Sequence, residues 1–194
     1  MVPEELLQTM KTLLNFNDQD VANLKAMGPL LTPYATEMTQ VFYEALSRSP
    51  EAKAILDGDS GRHERLHSTL DAWYKEIFAG NYGDAYAQRR WIIGLVHVKI
   101  GIPPKFVVGS MKNVYVFSAR KLGEMQGQLT GTLHDNCISL SKTLGIDLAF
   151  IEQSYAQSTS RAMALEIGAS EALFKRFASK GAEDLLAEAR VGKF

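Results

Sequence analysis

The chain has 194 residues, 46% of them hydrophobic, which is enough to bury one sizeable core within the usual size of a single domain. Lys and Arg total 21 against 22 for Asp and Glu, so a formal net charge of -1 argues against a nucleic acid or an anionic membrane as partner. Because the start of the chain lacks a secretory pattern and no 18 apolar residues run uninterrupted, we expect a cytoplasmic protein with no membrane span.

Helical periodicity dominates the sequence. Glycines and prolines cluster between segments in which apolar residues recur every three or four positions, as on one face of a helix. No segment shows the strict alternation typical of a strand, so we predict an all-α fold. The segments with this periodicity are 33–47, 62–78, 84–100, 104–126 and 129–160.

Two early helices bring polar groups to an apolar face. In 33–47, Tyr43 lies about a quarter-turn from the centre of the apolar stripe, so its hydroxyl can reach inward from the flank. In 62–78, the stripe includes Thr69, whose hydroxyl needs a partner if it is buried. His63 and His67 stand four residues apart, as a metal pair requires, but they fall opposite this stripe, and a solvated face is the favoured interpretation.

His97 ends an apolar helix. The Gly-Ile-Pro-Pro sequence at 101–104 must break the helix just after it, and Gly94 leaves room beside the preceding turn for a flat ligand. A neutral imidazole in apolar surroundings is a normal axial ligand of haem iron. The spacing alone leaves a structural or surface histidine open as the alternative. Tyr43 and Thr69 are the candidates for a polar group on the other side of such an iron.

The last long helices suggest an assembly. The apolar stripe of 129–160 has a spacing close to a heptad repeat, so this segment and 104–126 are predicted to pair with their copies in a homodimer. From 161 to 194 the composition shifts to Ala, Glu, Lys and Arg, which predicts a helical extension or linker. We therefore divide the chain into a domain at 1–160 and an extension at 161–194.

The stretch at 97–106, His-Val-Lys-Ile-Gly-Ile-Pro-Pro-Lys-Phe, resembles the proximal-histidine region of globin-coupled sensors and the related protoglobins. Three further stretches stand in the same order as in that family: Val-Phe-Tyr at 41–43, Arg-Leu-His-Ser-Thr-Leu at 65–70 and Glu-Ile-Phe-Ala-Gly at 76–80. The resemblance covers about residues 10–158. It implies a globin-like helical sandwich with an extra N-terminal helix and the C-terminal helical extension, with 1–160 as the sensor globin domain.

The resemblance also implies roles for single residues. His97 is the expected iron ligand of a haem b, Tyr43 the expected distal hydrogen-bond donor, and Thr69 with Leu66 the expected shapers of the ligand pocket. Where the family often has Trp-Tyr after the Pro-Lys pair, this chain has Phe106-Val107, so a hydroxyl near the proximal imidazole is missing. The residues predicted to surround the haem are Phe42, Tyr43, Leu66, Thr69, Leu70, Trp73, Ile93, Val96, His97, Phe106 and Val107.

The resulting functional hypothesis is a haem-based gas sensor without catalytic activity of its own. Its expected ligand is a diatomic gas, oxygen first and carbon monoxide or nitric oxide next, and its ligand state is expected to pass through the helical dimer interface. One alternative is redox catalysis at the same haem, such as nitric oxide dioxygenation or peroxidase activity. A second alternative is a haem-free globin-like scaffold that binds partners through the same pocket.

Overall fold

The protein folds into packed helices. The structure, a computed structural model, describes residues 3–57, 62–168 and 170–192, except for the side chains of residues 57, 62–65, 167 and 171. Within this part of the chain there is no strand, which confirms the all-α prediction. The helices are α1 (Pro3–Leu13), α2 (Asp18–Leu31), α3 (Ala35–Ser47), α4 (Pro50–Asp57), α5 (Arg62–Ile77), α6 (Asp84–Lys99), α7 (Pro104–Glu124), α8 (Leu133–Ile167) and α9 (Glu171–Arg190).

Local chemistry at the helix ends explains where α6 and α8 stop. α6 ends at Lys99, and the chain turns through Gly101 at φ 73°, a left-handed conformation that favours glycine. Pro104 then starts α7 at a position where its missing N–H costs nothing. α8 starts after Thr132, whose hydroxyl accepts from the Asp135 N–H, and it ends at Gly168, which adopts φ 61°.

α8 is the central helix of the fold. It packs along α6, α7, α2 and α1, while α3 packs against α5 and α7. Leu140, Leu144 and Ile151, which belong to the predicted heptad stripe, are buried in the core of their own chain. They therefore cannot form the seam between two copies, and this basis for the predicted dimer is wrong. The stripe resembled a coiled-coil seam because a long helix buried against several others also repeats its apolar residues every three or four positions.

α6 and α8 approach each other closely at Gly94. A Cβ atom at this glycine would lie 2.3 Å from Ser154 Oγ and 3.1 Å from Ile151 Cα. Only a glycine fits such a contact without a shift of the helices. Gly94 was expected to make room for a flat ligand, and that interpretation is wrong, because the space beside it is filled by α8.

A buried polar network joins α5, α6 and α8. The carboxylate of Asp147, which is 1% exposed, accepts hydrogen bonds from Trp73 Nε1 at 2.8 Å, from Arg90 Nε at 2.9 Å and from the Tyr86 hydroxyl. Arg90 is equally buried, pairs also with Glu76 and stacks its guanidinium over the Tyr86 ring at 4.3 Å. Three helices are thus held in register around one buried ion pair.

The C-terminal end of the chain stands apart from the core. Every α9 side chain that the structure describes is exposed except Phe174, which is half-buried. Among the described residues, no helix combines the length and the apolar character that crossing a membrane would require.

Candidate haem site

A cavity of about 320 Å³ opens between α5 and α6. All the residues predicted to surround a haem lie on its wall, from Phe42 and Tyr43 on α3 to Phe106 and Val107 on α7. Their meeting at one cavity is a structural finding, whereas their binding of a haem stays a prediction. The remaining wall residues are Leu46, Leu56, Ile92, Ile100, Ile102, Ser110, Met111 and Ile151.

His97 lies in the last turn of α6, as the sequence predicts. Its Nδ1 lies 2.8 Å from the backbone carbonyl oxygen of Ile93, one turn earlier in the same helix. A carbonyl can only accept, so this bond assigns the ring proton to Nδ1 and leaves the lone pair on Nε2. Burial lowers the pKa of His97, although the bond to Ile93 works in the opposite direction. The imidazole is therefore neutral at pH 7, the form that ligates a metal.

The bond to Ile93 also bears on the hydroxyl missing at Val107. A ligating histidine almost always donates its second ring N–H to an acceptor that fixes the ring. In this chain the acceptor belongs to the backbone of the same helix, so the imidazole is oriented without a hydroxyl on α7. Another hydroxyl-bearing residue of α7, the buried Ser110, lies on the cavity wall. Sequence reasoning missed it, although Ser110 lies one turn after Val107 on the same face.

Tyr43 is buried, with 8% of its surface exposed. Removal from water raises its pKa to about 12, so its hydroxyl stays protonated and able to donate at physiological pH. Thr69 also lies on the cavity wall, yet its side chain is exposed, because the cavity itself is open to solvent. Both polar groups therefore belong to the same space as His97.

His67 does not lie on a solvated face. It is half-buried, and its ring stacks on that of Tyr43 with centroids 4.4 Å apart and planes inclined by 17°. The expectation of a solvated histidine is wrong because α3 covers the flank of α5 on which His67 lies. The side chain of His63, the other half of the possible metal pair, lies outside the described residues. Among the side chains that are described, no group of three His, Cys, Asp or Glu is placed to hold a metal ion.

The cavity fits the chemistry of an iron porphyrin. Its walls are mostly aliphatic and aromatic, as a porphyrin ring requires, and His97 offers a neutral imidazole with a free Nε2 lone pair. Ile92 and Val96 line the cavity although 58% and 44% of their surfaces are exposed, so the cavity opens to solvent along α6. An open side suits a ligand with an apolar body and charged propionate groups.

Comparison with known proteins agrees with this architecture. The globin domain of a globin-coupled sensor from Geobacter sulfurreducens superposes with a TM-score of 0.69 at 25% sequence identity, covering 76% of this chain and 96% of that one. The sequence model of the Protoglobin family matches residues 3–161. The matches confirm the family resemblance and the globin-like fold class. This chain belongs to the Protoglobin family.

Proposed function

We propose that this protein binds haem b through His97 and senses a diatomic gas, with oxygen as its first ligand. The observation that carries the proposal is the 2.8 Å contact of His97 Nδ1 with the Ile93 carbonyl oxygen, which directs Nε2 to a ligating role, on the wall of an apolar cavity. Family membership and the likeness to the globin domain of a bacterial sensor support it. When bound, the haem iron supplies a coordination position for the gas.

Different residues of the chain bind the cofactor and the gas ligand. His97 binds the cofactor from α6, and the mostly aliphatic and aromatic walls give the iron apolar surroundings, which limit the oxidation of a ferrous iron. Tyr43 on α3 and Thr69 on α5 donate hydrogen bonds to a gas ligand in the cavity. Because the pKa of Tyr43 is about 12, its donor proton is held throughout the physiological range.

The route from the cavity to α8 consists of hydrogen bonds after His97. The Ile102 N–H donates to the His97 carbonyl at 3.1 Å, and the Tyr155 hydroxyl of α8 donates to the Ile102 carbonyl. A displacement of the end of α6 is therefore passed to α8 through one residue, Ile102. We propose that this turn passes the ligand state to α8 and to the extension that follows it.

We also retain a homodimer through 104–126 and 129–160, now on other faces of these segments. Val108 and Val116 on α7 and Ile138 on α8 are 49%, 45% and 39% exposed. α7 and α8 pack against each other, so these exposed side chains belong to two neighbouring helices. This outer patch supports a two-helix contribution from each copy.

Replacement of His97 by alanine tests the haem assignment. The protein is expressed with haem supplied, and its absorption is recorded in the ferric, ferrous and oxygenated forms. Wild-type protein is expected to carry bound haem that binds oxygen reversibly, and His97→Ala is expected to lose the pigment or its spectrum. His134→Ala, which changes an exposed histidine near the start of α8, is the control. A His97→Ala variant with an unchanged spectrum excludes the assignment, and sustained turnover with an electron donor favours the redox enzyme instead.

A further inference from the structure

Among the described side chains, the rings of His67 and Phe42 pack against the ring of Tyr43. His67 from α5 covers one face, with centroids 4.4 Å apart and planes inclined by 17°. Phe42 meets it edge-on from the neighbouring position of α3, at 5.3 Å and 74°. An aromatic ring buried between two such partners keeps one orientation.

The hydroxyl of a tyrosine lies at the far end of its ring, so a rotation at χ1 moves the hydroxyl oxygen through a wide arc, whereas a rotation at χ2 turns the ring about the axis through that oxygen and leaves it in place. A hydrogen-bond donor stabilises a ligand best when it is aimed in advance and pays no reorganisation on binding. The backbone of α3 fixes the origin of the Tyr43 side chain but not the direction of its ring. A contact from a second helix is needed for that, and His67 supplies it.

We propose that His67 is a positioning residue that aims the Tyr43 hydroxyl into the gas-binding cavity and so sets the residence time of the ligand. The inference rests on the proposed gas-binding function. His67 is not on the wall of the cavity, whereas Tyr43 is, so His67 acts through the ring on which it stacks rather than on the ligand itself. An aromatic side chain of similar width preserves this role, and an aliphatic or small one abolishes it.

The kinetic test compares His67→Ala with His67→Phe in the haem-loaded protein. Loss of the stack is expected to raise the oxygen dissociation rate by about two- to tenfold, the range that an aromatic pair contributes. His67→Phe restores the stack and is expected to stay within about twofold of wild type. In a Tyr43→Phe background, His67→Ala is expected to change the rate no further, because the two residues act as one unit.

A second measurement needs no haem. Tyrosine labelled with ¹³C at Cζ is titrated by NMR in the apoprotein, and the Tyr43 signal is assigned by its loss in Tyr43→Phe. Wild type is expected to titrate near a pKa of about 12. In His67→Ala water reaches the ring and the pKa is expected to fall toward its ordinary value, whereas His67→Phe is expected to retain the high pKa.

Two results overturn the inference: an unchanged Tyr43 pKa in His67→Ala, or a rate increase in His67→Ala that persists when Tyr43 is phenylalanine. If wild-type protein takes up no haem, the proposed function fails and the role in gas binding fails with it. The apoprotein titration then still decides whether His67 holds the ring, so the two failures are distinguishable. His134→Ala is the control for the general loss of a histidine, and it is expected to leave both readouts unchanged.

Discussion

Trp73 connects the wall of the cavity to a buried ion pair. Its indole ring lines the cavity, while its Nε1–H donates to Asp147 at 2.8 Å. Asp147 in turn is paired with Arg90, and both side chains are 1% exposed. A buried pair of this kind adds little net stability, but the loss of one partner leaves an uncompensated charge in the core. The position of the Trp73 ring is therefore linked to the charge on α8.

Replacing Asp147 by leucine is expected to lower the free energy of unfolding by about 3–5 kcal/mol, because the buried Arg90 then loses its buried carboxylate and keeps only the pair with Glu76, whose side chain is 28% exposed. The double variant Asp147→Leu with Arg90→Met is expected to regain most of that loss. Urea denaturation measures both. A single variant that loses less than about 1 kcal/mol would contradict the assignment of a buried charge, since changes of that size are ordinary for any substitution.

Side-chain roles could be predicted where they depend on one helix. His97 and Thr69 lie on the cavity wall as expected, because each has a fixed place on the apolar face of its own helix. His67 and Asp147 could not be predicted, because both depend on a neighbouring helix that periodicity does not identify. The flank of α5 is solvated or buried according to where α3 lies, and the charge on α8 is tolerable only opposite Arg90.

The close approach of α6 and α8 at Gly94 can be tested by adding a methyl group at this position. Gly94→Ala places a methyl group 2.3 Å from Ser154 Oγ. The Cα atom of Ile151 lies 3.1 Å from the same methyl group, so a rotation of the Ser154 side chain alone does not relieve the clash. We expect the free energy of unfolding to fall by about 1–3 kcal/mol, as overpacked cores show. Thermal or urea denaturation measures the change.

Gly109 is the matched control for this substitution. It lies within α7, where an added Cβ would meet nothing within 4 Å. Gly109→Ala is expected to stabilise the protein by about 0.5–1 kcal/mol, the gain of alanine over glycine inside a helix. If Gly94→Ala is also stabilising, the two helices do not approach as closely as described.

Helix ends were predictable where glycine and proline mark them. α6 and α7 begin and end within two residues of the predicted 84–100 and 104–126, because the turn between them is fixed by Gly101 and the two prolines that follow. α8 differs more, since it runs from Leu133 to Ile167 rather than over 129–160. Its start is fixed by the Thr132 cap and its end by Gly168, and the change of composition after 160 does not interrupt it.

Among the described residues, exposed apolar side chains include Val108, Val116 and Ile138 on α7 and α8, which form one patch, and several side chains of α9. We expect dimers through the patch, because α7 and α8 together offer it on a rigid support. Val116→Glu and Ile138→Glu are expected to shift the protein to monomers in sedimentation velocity runs. Leu185→Glu on α9, at a site that is 54% exposed, is the control expected to leave the dimer intact. Monomeric wild type, or dissociation by the control alone, would contradict this surface.

The fold class could be predicted from the sequence because nearly every segment has the same helical period and turn residues separate the segments cleanly. The arrangement of the helices could not. Periodicity shows that Leu140, Leu144 and Ile151 share a face, but a face buried in the chain and a face buried between chains have the same pattern. Only the packing of α6 and α7 against α8 decides between them.

The imidazole of His97 is tied to the carbonyl of its own helix, four residues earlier. The orientation of the ring is therefore coupled to the last turn of α6, and a displacement of Nε2 would be passed to that turn. If the acceptor were a side chain on another helix, a displacement of the His97 ring would act on both helices. Here the acceptor is the backbone of α6, so the displacement would act on α6 alone. In the proposed mechanism, the last turn of α6 would carry a movement at the ligand position to Ile102, and the stiffness of that turn would set how much of the movement arrives there.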